Sequence, residues 1–236
     1  MPKMSKEDCF ADLKRRILST DLDPGSDLDE VSLSGHYGIS RTPLREVLQR
    51  LAGEGYVRLQ ANRGAKVASM DVAVMRVFFQ TAPMIYANIA RLAAENRTPD
   101  QLVALKDAQR DFASATGDGD PRASALCNHR FHEVIGRMAH NPYLSASLDR
   151  LLIDHSRMSQ TFYQPESVEE KVLIAKAVEQ HDGMIAAIDA RDAKLATDLT
   201  LQHWDLSRDR LERYVRPDPL PVDVVALKEK SLSLIH

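Results

Sequence analysis

The chain has 236 residues, 44% apolar and 28% charged, with a net charge of −3. This mixture excludes a wholly disordered or collagen-like chain, and the length points to two domains. Two cysteines cannot build a disulfide framework, no run of about 18 apolar residues is present to cross a membrane, and the first residues lack the apolar core of a signal peptide, so a cytoplasmic protein is expected.

The first element is a helix over residues 6–20, with Phe10, Leu13, Ile17 and Leu18 on one face. Asp23-Pro24-Gly25 is a turn. A short helix over 30–37 ends at Gly38, and Ser40 is placed to cap the next helix, with Pro43 in its first turn. Leu44, Val47, Leu48 and Leu51 keep helical spacing up to Gly53. Residues 56–60 and 65–68 predict two short strands around a turn at 61–64. Three helices and a hairpin in about 70 residues predict a winged helix-turn-helix over 1–70.

From Asp71 onward the pattern is helical throughout. Six helices are expected, near 71–96, 99–115, 120–139, 142–163, 166–190 and 192–214, with a kink at Pro83. The predicted fold is mainly α: a winged helix, an all-α bundle over 71–214, and a tail over 215–236.

The positive charge is local. Residues 41–66 carry six basic side chains against two acidic ones. On the 40–52 helix, Arg41, Thr42, Arg45 and Gln49 lie opposite the apolar stripe. Arg suits guanine in the major groove, and Thr with the helix N-terminus suits phosphate. Arg63, at the hairpin tip, is placed for a minor groove or a phosphate, and Gly64 lets the tip turn tightly. The same residues also describe an ordinary exposed amphipathic helix.

The segment LSGHYGISRTPLREVLQRL, followed by EGYVRLQANRGAKVA, resembles the DNA-binding domain of the GntR family of bacterial transcription regulators. The family pattern there is GVSRTPVREAL, then L-x-x-EG and a wing carrying a glycine. The resemblance implies double-stranded DNA as partner, with contacts from Arg41, Thr42 and Arg45 and from Gly64 in the wing. Some members carry an arginine at the start of the second helix that reads a base. Here that place is Asp29-Glu30-Val31, so their operator sequences do not transfer.

Three bundle helices carry a histidine on the apolar stripe: His132 beside Ala125 and Ile135, His181 beside Val178 and Ile185, His203 beside Leu199 and Leu206. Asn128 lies one turn before His132 and faces the same way. Buried polar groups need partners. Two arrangements supply them: a separate carbonyl for each histidine, or one divalent metal shared by all three with Asn128 as a weaker, uncharged ligand. Zinc suits these ligands, with nickel or manganese also open.

Residues 71–214 resemble the helical FCD effector domain of the FadR subfamily of GntR regulators. The signature residues are Asn128-His129-Arg130-Phe131-His132, then His181 and His203, with Asn141-Pro142-Tyr143-Leu144 fitting a conserved turn. The resemblance implies a dimeric regulator, such as a repressor, that binds a small organic or sugar acid through its metal. Thr81 and Ile85 stand where the signature has R-x-x-x-E. Arg157 is a candidate clamp for a second effector carboxylate, or a plain surface arginine. A metalloenzyme acting on a carboxylate is the alternative, and a purely structural metal is a third reading. No H-E-x-x-H motif supplies a general base, and Glu133 falls on another face of its helix.

Overall fold

A computed structural model describes residues 4–60 and 64–212. The expected 215–236 tail and Arg63 lie outside the described residues.

The N-terminal unit is built as its sequence signals predict. Helix α1 (Lys6–Leu18) starts in a Ser5/Asp8 capping box and buries Phe10, Leu13, Ile17 and Leu18. Helix α2 (Glu30–Tyr37) is capped by Asp29 and stops at Gly38, whose φ of 63° is the left-handed C-terminal stop. Helix α3 (Arg41–Gly53) buries Leu44, Val47, Leu48 and Leu51. Three antiparallel strands follow in the order β1-β3-β2: β1 (Asp27–Leu28), β2 (Val57–Gln60) and β3 (Gly64–Val67). A two-residue strand is too short to show periodicity, so β1 is visible only through its pairing with Lys66 and Ala65.

Six helices form the second unit: α4 (Val72–Asn96), α5 (Pro99–Gly117), α6 (Pro121–Met138), α7 (Pro142–Phe162), α8 (Val168–Asp189) and α9 (Ala193–Glu212). Asp71, Thr98, Asp120, Asn141 and Ser167 each cap the helix they precede. Pro99, Pro121 and Pro142 occupy first turns, where no N–H is needed. Pro83 does not end α4, which winds on as one helix to Asn96.

The two units share packing. Ile153 of α7 is fully buried and belongs to the winged-helix core, the cluster that also holds Leu13, Ile17 and Leu44. Around it, Gln160 donates to the Leu18 carbonyl at 2.9 Å, and Arg157 donates to the Ala68 carbonyl at 2.6 Å. Helix α7 is therefore one wall of the bundle and the floor of the winged helix.

Candidate nucleic-acid face and metal centre

Arg41, Thr42, Arg45 and Gln49 are all exposed on α3. Ser40 caps the helix by position only, since its side chain makes no cap bond. The first N–H groups of α3 thus remain open to an anion such as phosphate. Arg45, Gln49 and Gly64 line one groove with Glu30, Leu59 and Gln60, between α3 and the wing. Both oxygens of Glu30 accept from Arg45 Nε, at 3.0 and 2.9 Å. That contact fixes the guanidinium at its root while its two terminal nitrogens extend further. Other charges near the face serve the fold: Lys6 pairs with Glu46 at 2.6 Å, and Arg50 pairs with Glu7 and stacks on Phe10. Gly64 is dictated by the sheet. Its φ is +89°, and a Cβ there would lie 2.4 Å from the Leu28 carbonyl oxygen of β1.

In the bundle, His132, His181 and His203 converge, each with a ring nitrogen within 4.8 Å of the others. All three are buried. Burial, reinforced by the neighbouring imidazoles, holds His132 and His181 well below the ordinary histidine range, and burial pushes His203 down to about 4. The rings are therefore neutral near pH 7, and each keeps one lone pair.

Hydrogen bonds fix where that lone pair points. Gln109 Nε2 donates to the Val178 carbonyl and to Asp182 Oδ1, both at 3.0 Å. Its Oε1 must therefore be the atom 3.0 Å from His181 Nδ1, and that nitrogen carries the proton. His181 Nε2 is left as a bare acceptor, 3.3 Å from His203 Nε2. Gln180 Oε1 stands 3.2 Å from His203 Nδ1 and favours the same tautomer there. Two lone pairs facing each other repel unless a cation sits between them. His132 Nε2 and Asn128 Oδ1 are also buried without a hydrogen-bond partner. The three converging histidines fit a divalent metal, and separate carbonyl partners do not account for them.

Beside the histidines is a narrow cavity lined by Tyr86, His132, His155, Thr200, His203 and Trp204, with room for about one water-sized group. Tyr86 Oη lies 2.7 Å from His155 Nδ1. Gln109, Gln180, Tyr86 and His155 were not singled out by the sequence. The signal for His155 was present, because Leu148, Leu152, His155 and Phe162 share one buried stripe of α7. Arg157 is buried but is not brought to this cavity. Its guanidinium is spent on an ion pair with Asp154 and on the Ala68 carbonyl, at the junction of the two units. Its Nε has no hydrogen-bond partner, and the side chain lines a different cavity, together with Thr20, Met70 and Met75. Glu133 is paired with Arg137 at 2.6 Å.

The chain is 31% identical over 84 residues to the Nta operon transcriptional regulator of Aminobacter aminovorans, covering 36% of this chain and 40% of the relative. It is 23% identical to the HTH-type transcriptional regulator LutR of Bacillus subtilis, over 84% of this chain and 97% of that one. In fold it is similar to E. coli McbR/YncC, with a TM-score of 0.74 at 20% identity, over 90% of this chain and 100% of that one. Residues 6–67 match the gntR family of bacterial regulatory proteins, and residues 79–206 match the FCD domain. With more than half of its length in the FCD match, the chain belongs to the GntR family of transcription regulators, which are not enzymes, in the branch that carries an FCD domain.

Proposed function

We propose that this GntR-type regulator is a cytoplasmic homodimer whose affinity for a two-fold DNA operator is set by a small carboxylate effector bound at a divalent metal. Residues 1–70 read the operator, and residues 71–214 hold the metal and the effector. Arg41, Thr42, Arg45 and Gln49 contact DNA from α3, with Arg63 and Gly64 in the wing. Two winged helices supply the footprint that one is too small to give. Among the described residues, no helix is long and apolar enough to cross a membrane.

The observation that carries the reading is the convergence of unprotonated acceptors at His132, His181 and His203; the Asn128 oxygen, one turn before His132, is also buried and unpartnered. These residues would hold the metal, and zinc suits them best, ahead of nickel or manganese. When bound, it would supply a Lewis-acidic centre for the carboxylate. His155 lines the cavity from α7, the helix that also places Ile153 in the winged-helix core. A change at the effector site is thus transmitted by one rigid element to the DNA-reading unit.

The test is elemental analysis of untagged protein after incubation with each metal. One equivalent is expected for wild type and none for His181→Ala. Free metal about a thousandfold above Kd should stabilise wild type by about 4 kcal/mol, so a chelator lowers its Tm and leaves the variant unchanged. Failure of all three metals to load wild type would refute the reading.

A further inference from the structure

We infer that the cleft between the winged helix and the bundle is a second ligand site, built to hold the two charged ends of a free α-amino acid. It is separate from the histidine centre and does not depend on a metal there.

The cleft is a cavity of about 620 Å3 with walls from both units. Lys14 of α1 and residues 53–56 at the end of α3 form one side. His129 and Glu133 of α6, with Asp149 and Arg150 of α7, form the other. The turn after α3 is seated on the bundle: the φ of Gly55 is +88°, and a Cβ there would lie 2.7 Å from Arg150 Cδ. A molecule held in this cleft therefore touches the turn that ends α3.

Two charges on these walls are uncompensated. Lys14 makes no ion pair with any described residue, and its Nζ lies 5.5 Å from the centre of the Tyr56 ring. Asp149 has neither an ion pair nor a hydrogen bond among the described residues. Partial loss of water, then the Glu133 charge, hold its carboxyl above the ordinary range, and Lys14 is the cation that opposes them most. The two groups thus face one cavity without meeting. A further observation is independent of charge. Tyr56 is 4% exposed, yet its hydroxyl has no hydrogen-bond partner among the described residues, where a buried phenol ordinarily has one. The remaining charges are already paired: Glu133 with Arg137, Glu54 with Arg50, and Arg150 with Asp154. A simple anion on Lys14 would stand among carboxylates, and a simple cation on Asp149 would stand beside Lys14 and Arg150. A zwitterion satisfies both, with its carboxylate on Lys14, its ammonium on Asp149, and the Tyr56 hydroxyl donating to the carboxylate. Glu54, Glu133 and Asp149 outnumber Lys14 and Arg150 on the walls, so a basic side chain on the ligand is favoured over an acidic one.

Isothermal titration of the full chain with L-lysine, in the presence of EDTA, is the test. Saturable binding by wild type is expected. Cadaverine, which is L-lysine without its carboxylate, and L-glutamate should each bind about tenfold or more weaker. Lys14→Gln and Asp149→Asn should each weaken L-lysine about tenfold or more, and Tyr56→Phe should weaken it by less. His181→Ala should bind L-lysine as wild type does, which separates this site from the histidine centre. No saturable binding of L-lysine by wild type would overturn the inference. Equal binding of cadaverine and L-lysine would also overturn it, leaving a site for amines alone, and this arm needs no variant to fold. Undiminished L-lysine binding by Lys14→Gln and Asp149→Asn, both folded by circular dichroism, would place the ligand elsewhere and overturn it as well.

Discussion

The outer face of α3 and the inner stripes of α6, α8 and α9 carry the two sets of proposed site residues under opposite conditions. On α3 the polar groups stand in water, where they cost nothing and need no partner. In the bundle the histidines stand where a leucine would pack, and each must be compensated. An exposed functional group leaves no physical trace of its purpose in the folded monomer, whereas a buried one leaves an unpaid lone pair. This is why the metal centre can be argued from hydrogen bonds, while the DNA face is assigned from its position on α3 and from family membership.

The largest effect should come from a residue that breaks the separation between the two regions. Ile153→Ala leaves a cavity in the winged-helix core although residue 153 belongs to the bundle, and should cost about 2–5 kcal/mol. Urea unfolding followed by a probe in α1 checks this, and an unchanged midpoint would mean that the winged helix is stable without α7. Arg45→Ala sharpens the contrast from the exposed side. Cognate operator binding should weaken by about 1–3 kcal/mol, more than binding to random DNA, while stability moves by less than about 0.5 kcal/mol. Fluorescence anisotropy with both duplexes, beside a thermal melt, separates the two; equal losses on both DNAs would make Arg45 a phosphate contact. The smallest effect is a slope. In metal-free protein, His203 and His155 have pKa values lowered by burial, to about 4 and about 3. The unfolded chain takes up protons below about pH 6.5 that these rings refuse, so stability falls as the pH drops from 6.5 toward 4. Each fully buried ring contributes at most about 1.4 kcal/mol per pH unit. Denaturant midpoints between pH 7 and 5 test this, and a flat profile would show that the rings are protonated in place.

Much of the fold was legible because its punctuation is local. Asp71, Thr98, Asp120, Asn141 and Ser167 begin helices at the places where the sequence changes character, and Gly38 ends α2 by its own backbone angle. Strand β1 was not legible, because its only reason to be extended is the far side of the wing. The site divides in the same way. His132, His181 and His203 break an apolar stripe and so announce themselves. Gln109 breaks one too, but an amide on a stripe carries no chemistry until the ring it orients is seen. Arg157 was the hardest to place, because charge and helix position say nothing about direction, and the structure turns it to Asp154 and Ala68 and to a cavity other than the one beside the histidines. Gly64 was read as freedom for a tip to turn, and the structure shows the confinement imposed by a carbonyl of β1.

The seating of Ile153 in the winged-helix core has a consequence for recombination. A chimera made by joining this DNA-binding segment to another effector domain, cut in the loop before Asp71, would keep every residue of the segment and still lack part of its interior. The graft would carry a gap in its core where the donor's Ile153 had been seated. Exchange should succeed only when the incoming bundle brings a comparable side chain on the matching turn of its own α7, with an arginine one turn later to meet the Ala68 carbonyl. The transferable module is thus discontinuous in sequence, a segment plus one turn of a distant helix, and shuffling experiments can select for that second piece by itself.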